Sequence, residues 1–434
     1  MYFMKSRLGT KIILNIGLFM FILSMYTILT LTSITESWTL TLIFLIISAG
    51  LLVLYSIITR SSRVSSISVV GLVFAVFCLF GVLQGAQSIF LLFYILCFII
   101  LLCAEAVTID SLIGVIKAMR AFGMFFAFGC YWQFLFPDQY YAILFPLFGS
   151  VYQQSIRRQF YYHKMCTGFT SQTAAAAQFI VLGLISVIYL YQFEKEQNIT
   201  GSRNKLSIIR WFEALFLIGA LLLTGKRSPI VNLGCAFLFV DMITTKRSKK
   251  AMRFFQIIFV LTIMIFILFL FAPMLADSRN SIVRLIETIS NAENSDITNG
   301  RLSLYSYALK EFMGSPVFGI GWGNYGPLYN ASGAHNIYLQ LLCECGIIGF
   351  PIAVGCMIFV LSKAVKQLKN ALRENNSSNI IICKMSVFIQ VYILVYGIFG
   401  NPIYDQNYFL MYVLGLLFSS RIYFERMHLQ INSV

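Results

Sequence analysis

Apolar residues in this chain fall into long runs separated by brief polar links, with no strand-like alternation. The first run, 12–31, has the roughly 20 residues that a helix needs to cross the hydrocarbon core of a bilayer. It follows Lys5, Arg7 and Lys11, and it lacks the shorter apolar region and small-residue cleavage site of a secretory signal, so it reads as a retained anchor. Further runs lie at 38–58, 64–83, 86–104, 112–136, 173–192, 208–224, 229–243, 254–272, 346–361, 380–400 and 408–423. The pattern predicts an all-α integral membrane protein, one polytopic domain of about twelve crossings over residues 1–434, with two long outer segments at 137–172 and 273–345.

Composition sharpens this picture. Of 434 residues, 59% are apolar and 11% charged, which excludes a water-soluble enzyme or nucleic-acid-binding fold. The net charge of +15 would point to nucleic acid if it formed a stripe on a soluble domain, but the basic residues sit between apolar runs. Cysteines such as Cys78, Cys97, Cys103, Cys235, Cys356 and Cys383 lie inside the runs, where a free thiol packs as a small hydrophobe. Cys343 and Cys345 lack the further ligands that tetrahedral zinc requires, so no metal site is expected.

Basic residues collect on cytoplasmic loops, and this rule orients the chain. With both termini cytoplasmic, most Lys and Arg fall inside, and the links 32–37, 84–85 and 401–405 contain none. Exceptions occur at three outer places: Arg157, Arg158 and Lys164; Lys226 and Arg227; and Arg279, Arg284, Arg301 and Lys310. Long loops translocate whatever their charge, but Lys226 and Arg227 sit in a very short link, TGKRSP. A basic pair there carries an insertion cost of a few kcal/mol that an anionic partner would offset.

The outer segments carry the chemistry. In 137–172, Tyr140, Tyr141, Tyr152, Phe160, Tyr161 and Tyr162 interleave with the basic residues, a mixture suited to stacking on sugars and pairing with phosphate, or to a headgroup-level aromatic belt. In 273–345, Leu302, Tyr305, Leu309 and Phe312 recur at near-helical spacing, which predicts an amphipathic helix over 301–313. Gly321, Gly323 and Gly326 spell G-x-G-x-x-G. Without a preceding strand this is no dinucleotide site, but a tight loop whose backbone can come close to a ligand. His335 precedes a helical stretch whose Asn336, Gln340 and Glu344 form a polar stripe, and Gly346, Gly349 and Pro351 should break or re-aim that helix, making it re-entrant. The helix dipole there favours the neutral imidazole, the form that can act as a base. His163 is a weaker candidate and His428 is inert. Outer carboxylates are scarce and no two stand as D-x-D. A metal-free transfer needs only cations for the leaving pyrophosphate and one base for the attacking hydroxyl.

Four stretches in order carry a resemblance: R-x10-G with FTSQTA (157–174), TGKRSP (224–229), GRLSLYSYALKEFMGSPVFGIGWGNYG (300–326) and HNIYLQLLCECGIIG (335–349). Together they resemble the polytopic O-antigen polymerases and O-antigen ligases, a group that includes capsular polysaccharide polymerases. The resemblance implies that Arg227 and Arg301 bind the pyrophosphate of a polyprenyl-linked glycan, and that His335 activates an acceptor hydroxyl for inverting attack, with no cofactor or metal. Arg157, Arg158, Lys226, Lys310, Asn336 and Tyr338 complete the candidate substrate-binding set. Lys310 starts a K-x10-G spacing where some relatives have arginine, and a lysine offers a point charge in place of a bidentate fork. The implied partners are undecaprenyl-pyrophosphate-linked oligosaccharides as donor and acceptor, membrane lipid and a chain-length regulator, with no nucleic acid. The implied location is the bacterial plasma membrane, with the site on its periplasmic or extracellular side. Polymerase and ligase share donor chemistry and stay open here. A lipid-linked glycan transporter is a rival of another class, weakened because Lys117, Arg120, Glu213 and Asp241 lie towards the ends of the runs.

Overall fold

A computed structural model of the chain describes residues 2–60, 65–162, 164–197, 203–245, 252, 255, 301–329 and 333–420. Nearly all of the predicted run 254–272, the 273–300 part of the second long segment with Arg279 and Arg284, and both His163 and His428 lie outside these residues. Among the described residues the regular structure is helical throughout. Seven helices among the described residues are long and apolar enough to cross a bilayer, and two shorter apolar ones, Ser68–Leu83 and Ser228–Thr244, accompany them.

The helices are α1 (Tyr2–Thr35), α2 (Thr39–Thr59), α3 (Ser68–Leu83), α4 (Ser88–Leu102), α5 (Ile109–Leu135), α6 (Pro137–Ile143), α7 (Ser150–Arg157), α8 (Thr173–Glu196), α9 (Arg203–Leu223), α10 (Ser228–Thr244), α11 (Arg301–Gly314), α12 (Tyr325–Tyr329), α13 (Ile337–Glu374), α14 (Ser377–Tyr396) and α15 (Gln406–Ser420). Every predicted run apart from 254–272 coincides with one of them. The run at 64–83 gives a shorter helix than expected, 16 residues in α3, because Ser65 and Ser68 exchange hydrogen bonds with each other's backbone and set the start at Ser68.

The chain divides into two compact units: residues 1–25, 42–115 and 298–434 form the first, and 26–41 and 116–297 the second. In the first unit α14 is buried along nearly its whole length and packs on α13 and α15, while α3 pairs with α4. Peripheral helices there expose apolar faces. Ile43, Ile46, Ile47, Leu54 and Ile57 of α2 are all uncovered, a surface that fits lipid and would be unusual in water. In the second unit α8 is the enclosed helix, packed on α9 and α10. Gly123 of α5 and Gly183 of α8 meet backbone to backbone, and Tyr26 fills the space beside them against Phe122, Phe126 and Phe179.

One charge expectation needs correction. Arg120 and Glu213 do not sit at helix ends. They pair inside the second unit, and Arg210 bridges Glu213 to Glu194. Because α9 begins at Arg203, before the apolar run proper, Arg210 and Glu213 lie two to three turns into the helix. Two arginines balance two glutamates, as charges withdrawn from water require.

Candidate functional site

The sequence-predicted residues fall in both units, and each group has its own architecture. In the first unit the centre is a break in a helix. Within α13, Gly346 takes φ 65 and ψ −172, so the helix that starts at Ile337 stops and restarts there. Such a break releases backbone groups that must find other partners. Residues 316–321 supply them: Ile320 N–H donates to the Cys343 carbonyl at 3.1 Å, Gly321 N–H to the Glu344 carbonyl at 3.0 Å, and Ile347 N–H to the Pro316 carbonyl at 2.8 Å. A Cβ on Gly319 would overlap the Glu344 carbonyl, and one on Gly346 would overlap the Val317 carbonyl. The P-x-x-G-x-G and G-I-I-G motifs are therefore two halves of one backbone joint. The expected close approach of the glycine loop is made to the broken helix.

Glu344 locks the joint from inside. It is 1% exposed, and its Oε2 accepts from Gly323 N–H at 2.7 Å while Oε1 accepts from Tyr325 N–H at 3.0 Å and from Gln340 Nε2 at 3.2 Å. Gln340 Oε1 in turn accepts from Ala334 N–H at 3.0 Å. Asn336 is the N-cap of α13, its Oδ1 accepting from Tyr338 N–H and Leu339 N–H. The Tyr338 hydroxyl donates to the Leu394 carbonyl at 2.7 Å. The predicted polar stripe thus ties the glycine turn, the His335 loop and α14 together.

His335 sits between the Gln340-anchored amide of Ala334 and the Asn336 cap, half-buried, with φ +53. A side chain in the left-handed region costs on the order of 1 kcal/mol. It persists where neighbours impose it, and such residues concentrate at functional sites. Ile337 N–H donating to the Gly397 carbonyl at 2.8 Å adds a further fixed point.

Arg301 opens α11 and is half-buried, whereas Lys310 is exposed. Leu302, Leu309 and Met313 are exposed, and the helix rests on the unit through Ala308, with the Tyr325 hydroxyl donating to the Leu304 carbonyl at 2.7 Å. Burial pushes the Asp405 carboxyl up to about 7, against the pull of the Asn407 amide. Sequence reasoning missed a cavity of about 210 Å³ beside the glycine turn, walled by Gln87, Phe90, Tyr94, Trp322, Gly333 and Tyr404. Only the lone tryptophan within GIGWG hinted at it.

In the second unit the 137–172 segment folds into α6, a 3-10 turn, α7 and a π turn at Arg158–Tyr162. Tyr140 is structural, which removes it from the expected sugar-stacking surface. Tyr140, Phe145, Phe148 and Ile156 form a small core, with Tyr141 and Tyr152 packed on it, while Tyr161 stays exposed. Neutral groups hold the backbone: Gln133 Oε1 accepts from the amides of Thr167 and Gly168, and the Tyr140 hydroxyl donates to the Gly168 carbonyl at 2.7 Å. The exposed Arg157 lies over the Phe145 ring, and Arg157 and Arg158 line a polar hollow of about 480 Å³ with Ser150, Gln153 and Gln154. Cys166 N–H donates to the Leu223 carbonyl, and Met165 packs on Gly225, which brings Lys164 next to the TGKRSP link. Lys226 and Arg227 in that link are half-buried at the start of α10.

Comparison with known proteins adds one match. The profile of a family described as O-antigen ligase matches residues 212–354, about a third of the chain. The matched stretch contains Lys226, Arg227, Arg301, Lys310, His335, Asn336 and Tyr338, and excludes Arg157, Arg158, Tyr94 and Tyr404. No curated protein matches the chain. The match and the apolar helices together support a membrane enzyme of surface-polysaccharide synthesis, acting on lipid-linked glycans.

Proposed function

We propose that this chain is a polymerase of a bacterial surface polysaccharide. It crosses the plasma membrane about twelve times with both termini cytoplasmic, and it works at the outer membrane–water boundary. His335 takes the proton of a sugar hydroxyl on one lipid-linked repeat unit. The oxygen then attacks the anomeric carbon of the growing glycan, the bond to polyprenyl pyrophosphate breaks, and the lipid pyrophosphate leaves with the electron pair. Inversion at that carbon follows from a single displacement. Arg227 and Arg301 supply positive charge for the pyrophosphate, with Arg157, Arg158, Lys226 and Lys310 as further cationic contacts.

The observation that carries this reading is the setting of His335. A histidine is held at positive φ by fixed neighbours on both sides, and it precedes a capped helix within the stretch that matches the family. A ligase that moves finished glycan to a lipid core is the second reading, favoured by the description of the matching family. Deleting the gene and complementing with wild type or His335→Ala, then resolving the surface glycan on a gel, tests both. Collapse of the ladder to one repeat unit, restored only by wild type, is the polymerase outcome. Long lipid-linked chains that never reach the surface are the ligase outcome. An intact ladder in the deletion strain overturns both.

A further inference from the structure

The cavity beside the glycine turn is not accounted for by donor binding. Its family-matched wall is Trp322, Gly323, Gly326, Gly333 and Gln340, and its other wall comes from α3, the α3–α4 link, α4 and Tyr404 before α15, outside the matched stretch. Gly333 lies two residues before His335, so the cavity adjoins the loop that carries the proposed base. Among the described residues no basic side chain lines it. A pyrophosphate therefore finds no counter-charge there, and the donor's leaving group belongs elsewhere.

We infer that this cavity is the acceptor subsite, holding one neutral sugar ring so that its hydroxyl faces the His335 loop; the inference rests on the transferase reading above. Three properties point to that occupant. The half-buried rings of Phe90 and Tyr404 can pack on the C–H face of a sugar and the exposed Gln87 amide can bind its hydroxyls, while Trp322, Tyr94 and the Gln340 amide, already engaged, form the fixed back of the space. At about 210 Å³ the space falls below the roughly 300–1,000 Å³ of drug-sized pockets and suits a single ring better than a lipid chain or an oligosaccharide. The rings are also fixed in advance. Trp322 stacks on Tyr404 with centroids 4.3 Å apart and meets Tyr94 edge-on at 87°, and the Tyr94 hydroxyl donates to the Ile403 carbonyl at 2.7 Å. Preformed walls lower the ordering cost of binding. Because half of the wall lies outside the family match, acceptor choice is set by Gln87, Phe90, Tyr94 and Tyr404 in this particular chain.

Two variants test this. Gln87 is exposed at the start of α4 and makes no capping bond there, so Gln87→Ala removes a sugar contact without disturbing the helix. Ala86→Phe fills the space. The probe is repeat-unit oligosaccharide released by mild acid from the cell's own surface glycan, offered to the full-length protein in nanodiscs and followed by saturation-transfer NMR. Contact with wild type, about tenfold weaker with Gln87→Ala and lost with Ala86→Phe, is the expected result. In the transfer assay the acceptor KM should rise by the same factors with the donor KM unmoved. Equal contact with all three proteins, no contact with wild type, or displacement of the oligosaccharide by polyprenyl pyrophosphate alone overturns the subsite. Pocket contact without any transfer by wild type overturns the enzyme reading and keeps the subsite, whereas transfer with an unmoved acceptor KM does the reverse.

Discussion

The two units solve one problem in opposite ways. Each must hold an irregular stretch of backbone beside apolar helices, and each does so with a side chain that accepts from two amides of one turn. In the first unit that acceptor is the carboxylate of Glu344, buried and fed by Gly323, Tyr325 and Gln340. In the second it is the neutral amide of Gln133, fed by Thr167 and Gly168. Burial raises the Glu344 carboxyl to about 7, so this anchor changes charge near neutral pH, whereas Gln133 is uncharged throughout. Beside the Glu344 anchor His335 is held in the left-handed region, and beside the Gln133 anchor the cations Arg157, Arg158 and Lys164 lie on the surface, available to a diffusing anion.

The sharpest way to break this contrast is at His335. His335→Ala should lower transfer by about 10²–10⁴-fold with normal membrane insertion, measured on purified protein with lipid-linked substrate. His335→Gly should be as inactive yet melt higher than the alanine variant, because the left-handed backbone then relaxes, an effect of about 1 kcal/mol. Next in size is Gly346→Ala, where positive φ and overlap with the Val317 carbonyl act together. A loss on the order of 3 kcal/mol is expected, seen as loss of the monodisperse peak in size-exclusion chromatography. Gly234→Ala in α10, which faces open space, should leave that peak unchanged or improved.

Glu344→Gln and Gln133→Ala compare the two anchors directly. The first turns an amide NH2 toward a turn N–H that had an oxygen, and the second leaves two buried amides with no acceptor. Each should cost about 1–3 kcal/mol in thermal stability, but only Glu344→Gln should also reduce transfer per folded molecule. The smallest effect concerns Asp405. Burial raises its carboxyl pKa in the folded state to about 7, so its contribution to stability is complete below the unfolded value near 4 and is lost as pH rises through 7. Asp405→Asn should therefore melt about 1–2 °C above wild type at pH 8 and match it at pH 4. A higher melting temperature for wild type at pH 8 would refute this assignment.

Much of the fold was legible because apolar run length is a strong signal. The helices at 12–31, 112–136, 173–192 and 380–400 were visible from their runs, and the 3.6-residue spacing after Arg301 marked α11. Its exposed Leu302 and Leu309 follow from that same pattern. Gly346 and the two coupled motifs were also legible, as residues that break and join a helix, and His335 stood out as the proposed base. What a hydrophobic residue packs against was not. Tyr140 reads the same whether it faces a sugar or a core. The cavity escaped notice because Tyr94 and Tyr404 lie far apart in the chain and join Trp322 only in three dimensions. Gln340 and Glu344 were seen as a stripe, but their job of fastening the loop depends on the helix break that turns the Cys343 and Glu344 carbonyls toward residues 320 and 321.

The bond from Tyr94 to Ile403 spans 309 positions, and it gives the molecule a schedule. A ribosome adding about 5–20 residues per second needs roughly 15–60 s to cover that distance. Over the last part of that interval, once residue 354 has been added, the nascent chain contains His335, the glycine turn and the whole family-matched stretch, yet Trp322 lacks its Tyr404 neighbour and the cavity lacks one side. On the acceptor-subsite proposal, competence to accept a sugar arrives with the 401–405 link, and a chain halted before residue 401 would carry the proposed base without that subsite.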